Sequence, residues 1–329
     1  MHELNKLFHV DPDEFIKIPT MLVSYDCGIK FDVYIRKGDN YFLLARHGEL
    51  SEGHKCRLRA HDVDELFIHS QDVATYDEYI ERNFATLLDN DSIPLHHRSR
   101  MLYDYSLGMG RTLLNSGEKS LPTPKYREKL EALTENTYEY ITRKKGAAKS
   151  IAGLLSHNYR TYSHCVNVSI YSILVMVALD YGKHRAKLIG TGALLHDIGK
   201  TKIPRQILDK PGPLTDAERD VINTHPAHGL DVCRDMDLDT LTQECIVQHH
   251  EKLDGSGYPY QTRRIPEYVR IVTIADIFDA LTSARPYSKA YTAFEALKII
   301  SKDAEAGRLD KDLSRQFVLI LSDGQIDTL

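Results

Sequence analysis

The sequence has few of the features that mark secreted, membrane-bound or nucleic-acid-binding proteins. Its five cysteines are odd in number and include no CxxC pair, which argues against a disulfide framework and for a reducing compartment. The N-terminus lacks the apolar core of a signal peptide, and no run of about 18 apolar residues occurs. The formal net charge of −5 gives no overall attraction to nucleic acid or to an anionic membrane. We therefore expect a cytoplasmic protein that has neither a nucleic-acid polymer nor a membrane as its partner.

The length and local patterns predict more than one folded unit. The 329 residues exceed the ~100–200 residues of a typical domain, and no internal repeat or low-complexity tract is visible. We predict an N-terminal regulatory or interaction domain at residues 1–75, a helical connector at 76–146 and a helical domain at 147–329.

The N-terminal region has the pattern of a small α/β or β domain. Alternating polar and apolar residues at 30–36, a turn at 37–40 and an apolar run at 41–45 predict a β-hairpin, and residues 65–68 predict a further strand. This region carries no recognisable catalytic cluster.

The connector combines apolar residues at helical spacing with interleaved charges. Thr123 before Pro124 predicts the start of one helix of the connector. In the domain that follows, Thr215 with Glu218 has the spacing of a capping box at the start of another helix. The connector could carry a signal or pair with a second copy of the chain to form a homodimer. Plain helical packing is an equally good interpretation.

Histidines and aspartates recur through the last helical region. A single histidine is more often a hydrogen-bonded structural residue than a ligand, but the adjacent pairs His196-Asp197 and His249-His250 favour a joint role. Mixed nitrogen and oxygen ligation suits Mn, Fe or Zn. The set indicates a metal centre with hydrolytic chemistry, and its members are His164, His196, Asp197, His225, His249, His250 and Asp276.

These residues lie in motifs that resemble a known family. Residues 195–200 (LHDIGK) resemble the HD signature of the HD phosphohydrolase superfamily, and residues 249–259 (HHEKLDGSGYP) are similar to the HHExxDGxGYP motif of its HD-GYP subfamily. The resemblance runs from about Thr161 to Lys298 and includes Arg285-Pro286-Tyr287. It implies an α-helical HD-GYP catalytic domain that hydrolyses cyclic di-GMP to pGpG, and the sequence leaves open whether pGpG or GMP is the final product.

The resemblance also implies two metal positions that share Asp197. Carried over position by position, one metal takes His164, His196, Asp197 and Asp276, and the other takes His225, His249, His250 and Asp197. A hydroxide that bridges the metals would attack phosphorus in line with the departing 3′ oxygen, which makes Asp197 a catalytic residue as well as a ligand. The expected cofactors are two divalent ions per chain, with Fe or Mn ahead of Zn, Ni or Mg.

Basic residues near the motifs are the expected phosphate contacts, and Lys200 is also expected to be a catalytic residue. Lys200 follows His196 by about one helical turn and is expected to touch a non-bridging phosphate oxygen; a solvated lysine at a helix end is the alternative. Arg285 is expected to hold phosphate as well. The family often has lysine directly after the RPY triplet, whereas here Lys289 comes one residue later, which puts substrate affinity in question.

The glycine-rich turn contributes two further expectations. Asp254 is expected to orient a ligand histidine by accepting a hydrogen bond from it. Tyr258 either lines the substrate pocket or packs the turn, and the sequence does not separate these roles.

One position departs from the family pattern in a way that affects the metal count. Some members carry a glutamate one helical turn before the first histidine, where it helps to hold a third metal. Arg160 occupies that position here, so we predict a binuclear site, with His157 as a disfavoured substitute ligand.

Two other functions compete with hydrolysis of cyclic di-GMP. One is a cyclic-dinucleotide receptor that signals through protein partners with little turnover. The complete ligand set argues against this reading. The other is an HD hydrolase that acts on a different nucleotide, which the GYP turn disfavours.

Overall fold

The computed structural model describes residues 14–23, 28–61, 63, 65–115, 123–155, 161–283 and 290–321. The chain divides into two compact units, Met1–Arg98 and Ser99–Leu329. This division falls inside the predicted connector, and the predicted boundaries after residues 75 and 146 stay a prediction.

The first unit contains an antiparallel four-stranded sheet, as the N-terminal pattern predicts. Its strands are β1 (Phe15–Pro19), β2 (Val33–Lys37), β3 (Asn40–Ala45) and β4 (Glu65–His69), in the order β1-β4-β2-β3. The predicted hairpin is β2 with β3, where Lys37 pairs with Asn40. Helices α1 (Glu52–Ala60) and α2 (Val73–Asp89) complete the unit, and its core includes the buried side chains of Ile18, Val33, Leu66 and Ile68.

The described residues of the second unit form helices joined by loops and contain no strand, which confirms the predicted fold class. Its helices are α3 (Leu95–Asn115, which begins before the division), α4 (Pro124–Arg143), α5 (Ala147–Ala152), α6 (Thr161–Ala178), α7 (Lys183–Leu195), α8 (Arg205–Leu208), α9 (Asp216–Ile222), α10 (His225–Val232), α11 (Thr240–Gln248), α12 (Glu267–Thr282), α13 (Ala293–Glu305) and α14 (Lys311–Leu321).

Two helices begin where the sequence predicts a cap. The Thr123 side chain accepts a hydrogen bond from the backbone N–H of Tyr126, and Pro124 occupies the first turn of α4. At α9, Thr215 and Glu218 form a reciprocal capping box. Both arrangements satisfy backbone N–H groups that a helix start leaves without intrahelical partners.

Helix α6 is the central helix of the second unit. It packs against α4, α7, α12 and α14. By length and mean hydropathy α6 is the one helix of the described residues that could cross a membrane, yet 78% of it is buried inside the protein. This burial is what a core helix requires, and it brings the α6 residue His164 into the interior of the unit.

Candidate metal centre

Three of the predicted ligand histidines lie at helix ends, where backbone carbonyls lack intrahelical partners. His196 follows α7, His249 follows α11, and His225 begins α10 just after α9. The Nδ1 atom of each lies 2.7–2.8 Å from the carbonyl oxygen three residues earlier, on Ala193, Ile246 and Ile222 respectively. A carbonyl can only accept, so we assign the proton of each neutral ring to Nδ1, and Nε2 then presents its lone pair to the site.

Two long helices supply the next pair of side chains. His164 projects from α6 and Asp276 from α12, and His164 Nε2 lies 3.0 Å from Asp276 Oδ1. The other ring nitrogen of His164, Nδ1, lies 2.7 Å from Oδ2 of Asp279, which is also on α12. His164 therefore presents Nε2 to the same space as the three helix-end histidines.

The first ligand group forms where α6 meets the end of α7. His164 Nε2 and His196 Nε2 are 3.3 Å apart, and Asp197 Oδ2 lies 3.6 Å and 3.5 Å from these two nitrogens. Asp276 Oδ1 lies 3.8 Å from His196 Nε2. These distances bring together the four residues assigned to the first metal by resemblance.

The second ligand group lies around the other oxygen of the Asp197 carboxylate. His225 Nε2 is 3.2 Å from His249 Nε2, and Asp197 Oδ1 is 3.2 Å and 4.0 Å from these two atoms. His250 belongs to this group, in which all ligand atoms lie within 4.8 Å of one another. Asp197 thus offers one oxygen to each group, which is the arrangement that a bridging ligand requires.

The ligand atoms are placed to bind cations and cannot form hydrogen bonds with one another. Nε2 lone pairs face each other at 3.2–3.3 Å in both groups, and a contact between two acceptors is repulsive without a positive charge between them. Asp197 Oδ1 is buried and has no hydrogen-bond partner among the residues that the structure describes. A buried acceptor without a partner is costly, and a cation would satisfy it. The His/Asp cluster can therefore hold divalent metal ions.

The protonation states that burial imposes are those that metal binding needs. Burial lowers the pKa of His196, lowers that of His249 well below its usual range, and lowers that of His250 to about 3. Burial alone would raise the pKa of the Asp197 carboxyl, but the Lys200 ammonium 2.5 Å away holds it well below its usual range. Neutral imidazoles and an ionised carboxylate at neutral pH are the ligand forms.

Two glycines allow the chain to approach itself closely around these ligands. A Cβ atom at Gly199 would lie 1.9 Å from the carbonyl oxygen of His225, and one at Gly257 would lie 2.4 Å from the backbone nitrogen of Lys252. Real Cβ atoms do not make such contacts, so a larger residue at either position would displace backbone. Gly199 therefore lets α10 carry His225 into the site, and Gly257 lets the GYP turn fold onto the residues after His250.

A buried carboxylate fixes the GYP turn from inside. Glu251 is fully buried, and its two oxygens accept hydrogen bonds from the backbone N–H groups of Tyr260 at 2.6 Å and Thr262 at 3.1 Å. The residue after His250 is thereby tied to the far end of the turn. No role for Glu251 follows from the sequence pattern alone, because its backbone partners are nine and eleven residues away.

The predicted substrate contacts are only partly described. Lys200 lies at the edge of the cluster with its ammonium on Asp197 and its side chain 16% exposed. The Tyr258 ring packs on His250, with ring centroids 4.7 Å apart and an interplanar angle of 34°, and the residue keeps part of its surface exposed. Arg285, Lys289, Arg160 and His157 lie outside the described residues.

The structure corrects the expectation for Asp254. Its carboxylate accepts hydrogen bonds from the backbone N–H and the hydroxyl of Ser256, at 3.0 Å and 2.7 Å, within the turn itself. Asp279 instead contacts the ligand His164. The physical reason is local: Asp254 lies two residues before Ser256 in a tight turn, where a side-chain oxygen readily bonds the backbone ahead of it. The i,i+3 spacing of Asp276 and Asp279 in an apolar helix is the sequence signal for this residue.

Known proteins match this chain in sequence and in fold. The family model described as "HD domain" matches residues 167–313. A cyclic di-GMP phosphodiesterase of Pseudomonas aeruginosa is 34% identical over 181 residues, which cover 54% of this chain and 43% of that protein. A 3′3′-cGAMP-specific phosphodiesterase of Vibrio cholerae is 37% identical over 145 residues, which cover 44% of this chain and 32% of that protein.

A solved structure, an HDG"Y"P protein from Bdellovibrio bacteriovorus, superposes with a TM-score of 0.63 at 20% identity and covers 93% of this chain and 99% of that one. This likeness shows the fold. The chain spans less than half the length of the two curated relatives.

Proposed function

We propose that this chain is a metal-dependent phosphodiesterase that hydrolyses cyclic dinucleotides, because residues 167–313 match the HD domain family model and a relative that is 34% identical is named a cyclic di-GMP phosphodiesterase. The observation that carries the proposal is the position of Asp197, which offers one oxygen to each of two histidine groups. A receptor needs to hold a dinucleotide, but it does not need two adjacent metal positions with a shared carboxylate. Sites of this kind serve hydrolysis, because they activate water and neutralise phosphate together.

The proposed ligands divide as the two groups do. His164, His196 and Asp276 would hold one ion, His225, His249 and His250 would hold the other, and Asp197 would bridge them. Two divalent ions bound there would lower the pKa of a water molecule and neutralise charge on the phosphoryl oxygens. We propose Fe or Mn as the ions, because mixed nitrogen and oxygen ligation with room for water suits them.

Residues at the edge of the cluster would bind the substrate. Lys200 is charged, partly exposed and next to Asp197, so its ammonium can meet a phosphate that approaches the cluster from solvent. The exposed part of Tyr258 lies beside His250, where its ring can contact the substrate. Arg285 and Lys289 remain proposed phosphate contacts on the strength of the motif alone.

We propose cyclic di-GMP as the first substrate and pGpG as the first product, with GMP as a further product. Relatives named for cyclic di-GMP and for 3′3′-cGAMP both match this chain, so 3′3′-cGAMP is the second candidate substrate. The two molecules share a ring of two 3′–5′ phosphodiesters and differ in one base. The choice between them therefore depends on contacts to the bases and not on the metal cluster.

The test is product chromatography with the full chain, prepared without oxygen and supplied with Mn²⁺ or Fe²⁺. Cyclic di-GMP, 3′3′-cGAMP and a simple nitrophenyl phosphodiester would be offered in parallel. We expect linear dinucleotide from cyclic di-GMP, and loss of product in Asp197→Asn but not in Asp231→Asn, which changes an exposed aspartate. Binding of cyclic di-GMP without product would favour a receptor, and cleavage of the nitrophenyl ester alone would favour a different HD hydrolase.

The N-terminal residues have a separate proposed role. Residues 1–75 would regulate the enzyme or bind signalling partners, residues 76–146 would connect them to the catalytic domain at 147–329, and a homodimer through the connector is part of this proposal. A chain that lacks residues 1–75 is expected to differ from the full chain in rate, KM or assembly. Equal rate, KM and assembly in the two chains would indicate that residues 1–75 have no regulatory role and that the connector helices only pack. We place this activity in the cytoplasm, where bacterial cyclic dinucleotides act as messengers.

A further inference from the structure

A chain of buried polar side chains leads from helix α3 to the ligand His164. The Tyr103 hydroxyl lies 3.0 Å from Asn167 Oδ1, Asn167 Nδ2 lies 2.8 Å from Asp279 Oδ1, and Asp279 Oδ2 lies 2.7 Å from His164 Nδ1. Each of these four residues is at most 3% exposed. The polar chain therefore crosses the core from α3 through α6 to α12 and back to α6.

The direction of every hydrogen bond in this chain is determined. A carboxylate can only accept, so Asn167 must turn its NH₂ group toward Asp279 and its carbonyl oxygen toward Tyr103. Tyr103 then has to donate. Asp279 accepts from Asn167, from His164 and, at 3.3 Å, from the Ser283 hydroxyl. All donors point toward Asp279, which leaves His164 no orientation except Nδ1–H toward Asp279 and Nε2 toward the ligand group.

We propose that Tyr103, Asn167 and Asp279 are positioning residues that fix His164 as an Nε2 ligand, so that α3 helps to set the metal affinity of the first ligand group. This inference rests on the proposed metal centre. Asp279 acts directly by holding the ring and raising the basicity of its other nitrogen. Asn167 and Tyr103 act through Asp279, because each fixes the orientation of the next group.

Simple packing does not require these groups. The same space could be filled by apolar side chains, since well-packed apolar replacements of buried polar groups are often neutral or stabilising. Helix α6 is otherwise largely apolar here, with Val166, Val168 and Ile170 buried beside Asn167. The two i,i+3 pairs, His164 with Asn167 on α6 and Asp276 with Asp279 on α12, bring one metal-facing and one supporting residue from each helix together.

The first test compares two tyrosine variants in the full chain. Tyr103→Phe removes the hydroxyl at the start of the polar chain. Tyr140→Phe is its matched control, because Tyr140 is also 3% exposed and its hydroxyl lies 2.8 Å from Ser99 on α3, which belongs to neither the polar chain nor the ligand groups. Metal-free protein would be titrated with Mn²⁺ by calorimetry, and thermal unfolding would measure stability.

We expect Tyr103→Phe to weaken one Mn²⁺ site about 2- to 10-fold, the effect of one buried hydrogen bond. Tyr140→Phe should bind Mn²⁺ like the wild type while it loses similar thermal stability. Wild-type affinity in Tyr103→Phe would overturn the inference and leave the metal centre intact. No Mn²⁺ binding by the wild type would overturn the proposed function together with the inference.

The second test exchanges the charge and the amide. Asp279→Asn alone sets an amide against Asn167 and should weaken one Mn²⁺ site by about 10- to 100-fold, the usual range for the partner of a metal-bound histidine. Adding Asn167→Asp exchanges the two groups, so the amide at position 279 donates to the carboxylate at position 167 and accepts from His164. The negative charge then lies one residue farther from His164 along the polar chain. The double variant should therefore bind Mn²⁺ more tightly than Asp279→Asn. An equal or weaker affinity would overturn the claim that bond direction positions His164.

Discussion

Gly199→Ala should separate α10 from the candidate metal centre. The new methyl group would lie 1.9 Å from the His225 carbonyl oxygen and 2.5 Å from the Gly229 nitrogen, whereas real Cβ atoms stay at least 3.0 Å away. The start of α10 must therefore retreat by about 1 Å, because both blocking atoms belong to backbone. Overpacking of this kind costs about 1–3 kcal/mol of stability or more.

The same retreat should remove His225 from the second ligand group. His225 Nε2 now lies 3.2 Å from both Asp197 Oδ1 and His249 Nε2, and metal–ligand distances tolerate changes of only about 0.2 Å. We expect metal content to fall from about two ions per chain toward one, since His164 and His196 do not depend on α10. Hydrolysis of cyclic di-GMP should fall with it.

Gly108→Ala is the control for this experiment. Gly108 lies inside α3, and no atom of the described part of the chain lies within 4 Å of an added Cβ, so alanine should be neutral or stabilise the helix by up to about 1 kcal/mol. Urea unfolding and elemental analysis would be run on both variants. Equal stability and equal metal content in the two would refute the argument that Gly199 is needed for the approach of α10.

Two further predictions concern Lys200 and Glu251, and a third concerns the effect of pH. Lys200→Met should keep both metal ions but raise KM or lower kcat for cyclic di-GMP by about tenfold or more, since one charged hydrogen bond is worth roughly 1.5–3 kcal/mol. A wild-type rate with full metal content would show that Lys200 does not contact the substrate and is only a solvated surface residue. Glu251→Gln should destabilise the protein by about 1–3 kcal/mol, because the buried side chain then offers one acceptor oxygen to two backbone N–H groups. An unchanged urea midpoint would contradict this.

Metal-free protein should lose stability as the pH falls from 7 to 5. The folded pKa values of His196 and His249 are lowered, that of His250 lies at about 3, and the ordinary value is 6.5. The unfolded chain therefore binds protons first below pH 6.5, and each such histidine removes up to about 1.4 kcal/mol of stability per pH unit. A urea midpoint that stays flat over this range would contradict these shifts.

The sequence was sufficient for the helical fold, the hairpin and the set of residues that meet around Asp197. Helical spacing and cap residues are local, so Thr123 and Thr215 begin helices where their neighbours predict. The pairs His196-Asp197 and His249-His250 directly follow α7 and α11, and the C-terminal ends of these two helices lie close together. Six of the seven residues lie in two groups that share Asp197, and their division between two metals stays a prediction.

The supporting residues could not be predicted in the same way. Asp254 and Asp279 are both aspartates near a motif, and only the packing of α12 on α6 decides that Asp279 reaches His164. Glu251 bonds backbone groups across a turn, and Gly199 is needed because another helix approaches it. Such contacts join segments far apart in sequence, or depend on the exact path of a turn, and residue type and spacing carry little information about either.

The central claim is that Asp197 joins two metal positions. Anomalous diffraction from crystals of the full chain grown with Mn²⁺ would test it directly. We expect two peaks, one beside His164 and His196 and one beside His225 and His249, each next to a different oxygen of Asp197. A single peak, a pair of peaks away from Asp197, or no peak would contradict the account.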